Sequence, residues 1–180
     1  MLLTTILSLS ILFSSDIDNA LSKLTYPSIA KEDKVLTPID KVDLARELYA
    51  SHILVNRFEP SANRLAASWA QVALENGQGK FVYNHNLGNI GPLSKSQSYY
   101  HHSNLTTYRS FTSFVDGGKA YWNTLNRCKI ALKQFDNADM ESASFTLYKC
   151  NYYGADPKLY TKIMKELFLY AKLNIIPRMK

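Results

Sequence analysis

The stretch Ser68–Gly91 (SWAQVALENGQGKFVYNHNLGNIG) constrains this chain more than any other. Leu65, Ala66, Trp69, Val72 and Ala73 recur at helical spacing, so the first half must bury one face of a helix. Asn76-Gly77 then reads as the helix end, with Gly77 in the left-handed capping position. All seven glycines fall between Gly77 and Gly154, and four of them lie in Gly77–Gly91. Clustering of that kind marks tight turns or close approach to the backbone. One carboxylate, Glu75, sits at the junction. The negative end of the helix dipole and burial beside Trp69 and Leu74 would both disfavour its ionised form. A general acid working near neutral pH needs that direction of shift. By itself the residue suits a solvated glutamate in a last helical turn equally well.

The 180 residues suit a single domain with a sizeable core. The net charge of +6 is spread along the chain, which suits a polyanionic partner without choosing among wall polymer, nucleic acid and membrane surface. No Cys/His spacing fits a zinc site and no glycine loop fits a phosphate site, so no cofactor and no metal is expected. Residues 1–15 (MLLTTILSLSILFSS) are apolar and uncharged, too short to span a bilayer and best suited to a signal peptide, with an uncleaved membrane anchor or a buried helix as the alternatives. The expected address is therefore exported, periplasmic or extracellular, with no stable membrane span after cleavage. Cys128 and Cys150 could pair in such a compartment and would be two small core residues in a reducing one, so their pairing stays open.

Residues 16–36 read as a leader or linker, and 37–180 as the domain. Thr37-Pro38-Ile39-Asp40 predicts a helix start, running to about Leu54 with Val42, Ala45, Leu48, Tyr49 and Ile53 inward. Ser61 caps the helix carrying Glu75. From Lys80 to Thr112 the helical period vanishes, and Thr106-Thr107-Tyr108 predicts a short strand in a hairpin or irregular lobe. Ser113 with Asp116 predicts a capped helix through about Leu132, and Gly117-Gly118 within it implies close packing. A fourth helix is expected over about Ala138–Cys150. Asp156-Pro157 opens the last, with Leu159, Ile163, Leu167 and Tyr170 on one face.

The lobe carries the chemical argument. Between Asn76 and Val115 there is no Asp or Glu, although the chain has fifteen. Glycosidases with two catalytic carboxylates place them about 5–10 Å apart, and this lobe cannot supply the second. Its amides and hydroxyls suit hydrogen bonds to sugars, and rings such as Tyr83, Tyr99, Tyr100 and Tyr108 suit stacking on pyranose faces or a small lobe core. His101-His102 has no carboxylate or Cys nearby and reads as hairpin surface.

Ala70-Gln71-x-Ala73-x-Glu75-Asn-Gly77-Gln-Gly79-Lys80 followed by Asn86-Leu87-Gly-Asn-Ile90-Gly91 resembles the glucosaminidase family of bacterial cell-wall hydrolases, within the lysozyme-like superfamily. Tyr108–Tyr121 resembles that family's aromatic-strand-then-helix segment, and Tyr152-Tyr153-Gly-Ala-Asp156-Pro157-Lys-Leu-Tyr160 is similar to its aspartate-proline motif. The ordered matches span about residues 65 to 170. Asn76 stands where Ser is usual, Gln78 where Trp is usual, Phe81 where Ser or Thr is usual, and Gly91 where Lys is usual.

The resemblance implies a mainly α (α+β lysozyme-like) fold, a helical domain whose small lobe flanks a glycan cleft. It implies a monomer acting on peptidoglycan glycan strands rather than nucleic acid, cutting β-1,4 bonds as an N-acetylglucosaminidase or lysozyme-type hydrolase. Glu75 matches the catalytic acid and Tyr153 the assisting tyrosine. Asn86 and Asn89 fall in the groove segment, with Tyr83, Tyr108 and Tyr152 as further substrate-binding candidates. Lytic transglycosylation to anhydro products, and non-catalytic peptidoglycan binding on the same fold, stand as the alternatives.

Overall fold

Helix α1 (Lys41–Asn56) begins where the Asp40 carboxylate accepts from the Val42 amide, and ends at Arg57 in the left-handed conformation. The structure, a computed structural model, describes residues 31–92, 97–103 and 106–179. The expected signal peptide, and residues 16–30 of the expected leader, lie outside them. Ser61 caps α2 (Ala62–Asn76) through the Arg64 amide, and Gly77 closes it with φ 63°, as the sequence predicts. A two-stranded antiparallel sheet follows, β1 (Tyr99–Ser103) and β2 (Thr106–Arg109), with Tyr100 opposite Tyr108. Then come α3 (Phe114–Leu125), α4 (Lys129–Asp136), α5 (Met140–Lys149) and α6 (Pro157–Tyr170). Helix α6 runs on through a π turn, Ala171–Ile175, and a 3-10 turn, Ile176–Met179. The described residues are mainly helical, with one small hairpin among them.

Helix α2 is the axis of the core. Its Leu65, Ala66, Trp69, Val72 and Ala73 are all buried, with Ser68 and Gln71 buried among them. Helix α6 packs along it, and α1 packs along α3. The two indole N–H groups each find a backbone carbonyl of α1: Trp69 donates to Lys41 at 2.9 Å and Trp122 to Leu48 at 2.9 Å. Burying a tryptophan without such a partner would leave a costly orphan donor. Gly117 explains how α3 approaches so closely. A Cβ there would stand 2.0 Å from the His85 carbonyl oxygen.

Four expectations need correction. Thr37-Pro38 does not open α1. The Thr37 and Ile39 amides donate to Val82 and Gly79 carbonyls, so this stretch runs extended along the glycine loop and capping passes to Asp40. Residues 31–36 are likewise no linker, since Glu32, Val35 and Leu36 pair with Tyr99, Asn84 and Tyr83. The single helix expected through Leu132 is two, parted by a turn at Asn126–Cys128 where the Cys128 amide returns to Leu125. The buried face of α6 is Tyr160, Met164 and Phe168, while Leu159 is 57% exposed and Ile163 and Leu167 are only half-buried. There the apolar residues outnumber the buried positions, so periodicity alone picked the neighbouring stripe.

Cys128 and Cys150 form a disulfide across a sequence separation of 22, joining the turn before α4 to the end of α5. No helix among the described residues is long and apolar enough to cross a membrane.

Candidate active site

Glu75 lies one residue before the end of α2, and its carboxyl opens into a cleft of about 340 Å³. Leu74, Gly88, Asn89, Tyr108, Tyr152, Tyr153, Gly154, Ala155 and Tyr160 line the remainder. Three segments therefore converge there: the end of α2 with the glycine loop, strand β2, and the turn leading into α6. Burial pushes the Glu75 carboxyl above its ordinary value of 4.5, against hydrogen bonds from Tyr160 and Asn89 that favour the ionised form. Tyr160 Oη donates to Glu75 Oε1 at 3.3 Å, and Asn89 Nδ2 also donates to the Glu75 carbonyl at 3.1 Å. Burial and the nearby carboxyl raise Tyr160 well above the usual phenol range, so it stays a neutral donor.

The loop after α2 owes its path to two buried asparagines. Asn76, where the resembling family carries Ser, accepts from the Gly79 amide at 2.8 Å and donates to the Leu87 carbonyl at 3.2 Å. Asn86 donates to the Ile90 and Arg109 carbonyls and accepts from the Ile90 amide. Fully buried and spent on backbone, Asn86 does not line the cleft where it was expected. It pins the loop to β2 instead. Asn89 does line the cleft, in the left-handed region with φ 51°. That conformation is one asparagine tolerates better than most residues.

The tyrosines divide similarly. Tyr108 and Tyr152 line the cleft, and Tyr152 Oη donates to the Gly88 carbonyl at 3.4 Å. Tyr83 stands apart from it, under the Lys34 ammonium at 4.1 Å and 6.4 Å from the Tyr100 ring. Tyr100 is the fully buried centre of the lobe. Tyr153 reaches the cleft by its ring, which lies flat on Tyr160 with centroids 3.5 Å apart and planes 4° apart. Its hydroxyl points elsewhere, donating to the Ser144 carbonyl at 3.0 Å. Of the two tyrosines it is Tyr160, given no role by the sequence reading, that touches the carboxyl. The signal for it was its place in the first turn of a helix opened by Asp156-Pro157 beside the glycine turn.

Glu75 is the one carboxylate among the described residues lining the cleft. Asp156 is occupied as the cap of α6, accepting from the Leu159 amide at 2.8 Å. Asp116 accepts from Ser113 and Thr112 and pairs with Lys119, and these hold it down to about 2. Among the described residues no group of three or more His, Cys, Asp or Glu is placed to hold a metal. A larger groove of about 800 Å³ between α5 and α6, with Phe145, Lys158 and Lys162 on its walls, shares no lining residue with the cleft. The arrangement offers one partly desolvated acid, an amide, and a wall of neutral aromatic hydroxyls.

No protein-family model matches the chain, and no curated protein or solved structure is significantly similar to it.

Proposed function

We propose that this protein cleaves β-1,4 glycosidic bonds in the glycan strands of peptidoglycan, on a lysozyme-like scaffold of the glucosaminidase kind, with Glu75 as general acid. The observation that carries the reading is a carboxyl, single among the described residues that line the cleft and raised by burial, at the end of a core helix and walled by tyrosines and Asn89. Flat rings beside an amide suit the alternating apolar faces and polar edges of amino sugars. The Cys128–Cys150 bond supports an exported protein, as does the apolar stretch at residues 1–15.

With no second carboxylate among the described residues that line the cleft, the substrate supplies the nucleophile. Glu75 gives its proton to the leaving oxygen as the bond from C1 breaks, and the 2-acetamido oxygen closes onto C1. The Glu75 carboxylate then takes a proton from the water that opens this ring, which regenerates the acid. Where the substrate's own 6-hydroxyl takes the place of that water, an anhydro sugar forms.

Digestion of purified sacculi, with soluble products weighed by mass spectrometry, tests the reading. The wild-type chain releases fragments, and Glu75→Gln lowers the rate by at least about a hundredfold. Products lighter by one water identify the anhydro route. Retention on sacculi without release of fragments by the wild type would move the protein to non-catalytic wall binding.

A further inference from the structure

We infer that Tyr160 is the positioning residue for the acid: its hydroxyl, carried on the first turn of α6, holds Glu75 Oε1 and so fixes how the carboxyl faces the cleft. The inference rests on the proposed role of Glu75 and adds a residue to which the sequence reading gave no role. The Glu75 carboxyl is held from two elements, by Tyr160 on α6 and by the Asn89 side chain in the glycine loop. Tyr160 Oη donates to Oε1 at 3.3 Å. Tyr160 is itself held on two sides. Its backbone amide closes the first turn of α6 onto the Asp156 carbonyl at 3.0 Å, and its ring lies flat against Tyr153 at 3.5 Å.

The stack is anchored in turn. Tyr153 Oη donates to the Ser144 carbonyl at 3.0 Å and shares a hydrogen bond with Ser144 Oγ. Thr161 Oγ1, the residue after Tyr160, donates to that same Ser144 Oγ at 2.8 Å. Helix α5 thus grips both the ring beneath Tyr160 and the helix turn that bears it. On this geometry the two tyrosines have separate duties. The Tyr153 hydroxyl locks the platform, and the Tyr160 hydroxyl addresses the acid. The bond from Tyr160 also favours the ionised carboxylate, so it opposes burial and keeps the acid willing to part with its proton.

The experiment compares wild type, Tyr160→Phe and Tyr153→Phe, each checked for fold by circular dichroism. Both substitutions keep the aromatic ring and the stack. The Glu75 carboxyl is followed by carbon NMR across a pH titration, and sacculus digestion is followed in parallel. Tyr160→Phe moves the Glu75 titration, and the alkaline limb of the rate profile, to higher pH. It lowers kcat by about ten- to a hundredfold with KM little changed, the loss expected for one hydrogen bond to a charged group. Tyr153→Phe leaves the Glu75 titration where it was. A Glu75 titration unmoved in Tyr160→Phe, or moved equally in both variants, overturns the inference whether or not the protein cuts glycan. A titration moved by Tyr160→Phe alone upholds the contact, and an inactive wild type then removes the glycosidase reading separately.

Discussion

Glu75 is held where a carboxylate is disfavoured, and that has a consequence for stability as well as for chemistry. Its folded-state pKa lies above 4.5, because burial outweighs the bonds from Tyr160 and Asn89. The folded protein therefore binds this proton more tightly than the unfolded chain does. Below the unfolded value both states are protonated and the residue costs nothing. As pH rises through the folded value, stability is lost. Glu75→Gln removes the ionisation, so at neutral pH the variant melts higher than wild type, with the difference fading toward pH 3. Equal melting temperatures at both pH values would mean the carboxyl is effectively solvated. The sequence placed this residue correctly because a helix end can be read from periodicity and a Gly cap. It did not separate Asn86 from Asn89, which stand three apart in one loop. Which of them faces backbone and which faces the cleft depends on a left-handed φ at Asn89 and on Arg109, 23 residues beyond Asn86.

At the scale of elements, caps were legible and packing faces were less so. Ser61, Ser113 and Asp156 each cap the helix their spacing predicts, because capping is decided within four residues. The start of α1 and the buried stripe of α6 were misread because distant partners decide them: Val82 takes the Thr37 amide, and the neighbours of α6 select Met164 over Ile163. The disulfide belongs to this scale too. It fastens the far end of α5, the helix whose Ser144 anchors Tyr153, to the turn before α4. Replacing Cys128 and Cys150 together by Ala lowers stability by roughly 3 kcal/mol, on the loop-closure argument for a separation of this size. Thermal melting of the oxidised wild type against the double variant measures it, and coincident curves would show that packing between α5 and α6 suffices.

Across the whole molecule, the helical body and the polar lobe are stitched together rather than merely adjacent. Residues 31–39 run along the glycine loop and reach β1 at Tyr99, while Phe111 returns to Asn84 and Gly117 touches His85. The lobe therefore has no independent way to open, and unfolding is expected as one transition. Helical circular dichroism and exchange of the Ile90 and Arg109 amides give the same unfolding free energy in that case. Earlier loss of the loop amides would reveal a separable lobe. The stitching also sets an order of events as the chain is made. Val35 binds Asn84 across 49 residues and Thr37 binds Val82 across 45, so the first described segment emerges long before anything exists for it to pair with. Helices α1 and α2 can form from local contacts, whereas the loop carrying Gly88 and Asn89 acquires its shape only once β2 and α3 have been synthesised. The Glu75 carboxyl on α2 is in place early and its cleft is completed late, so a nascent chain carries Glu75 without the walls that later bury it.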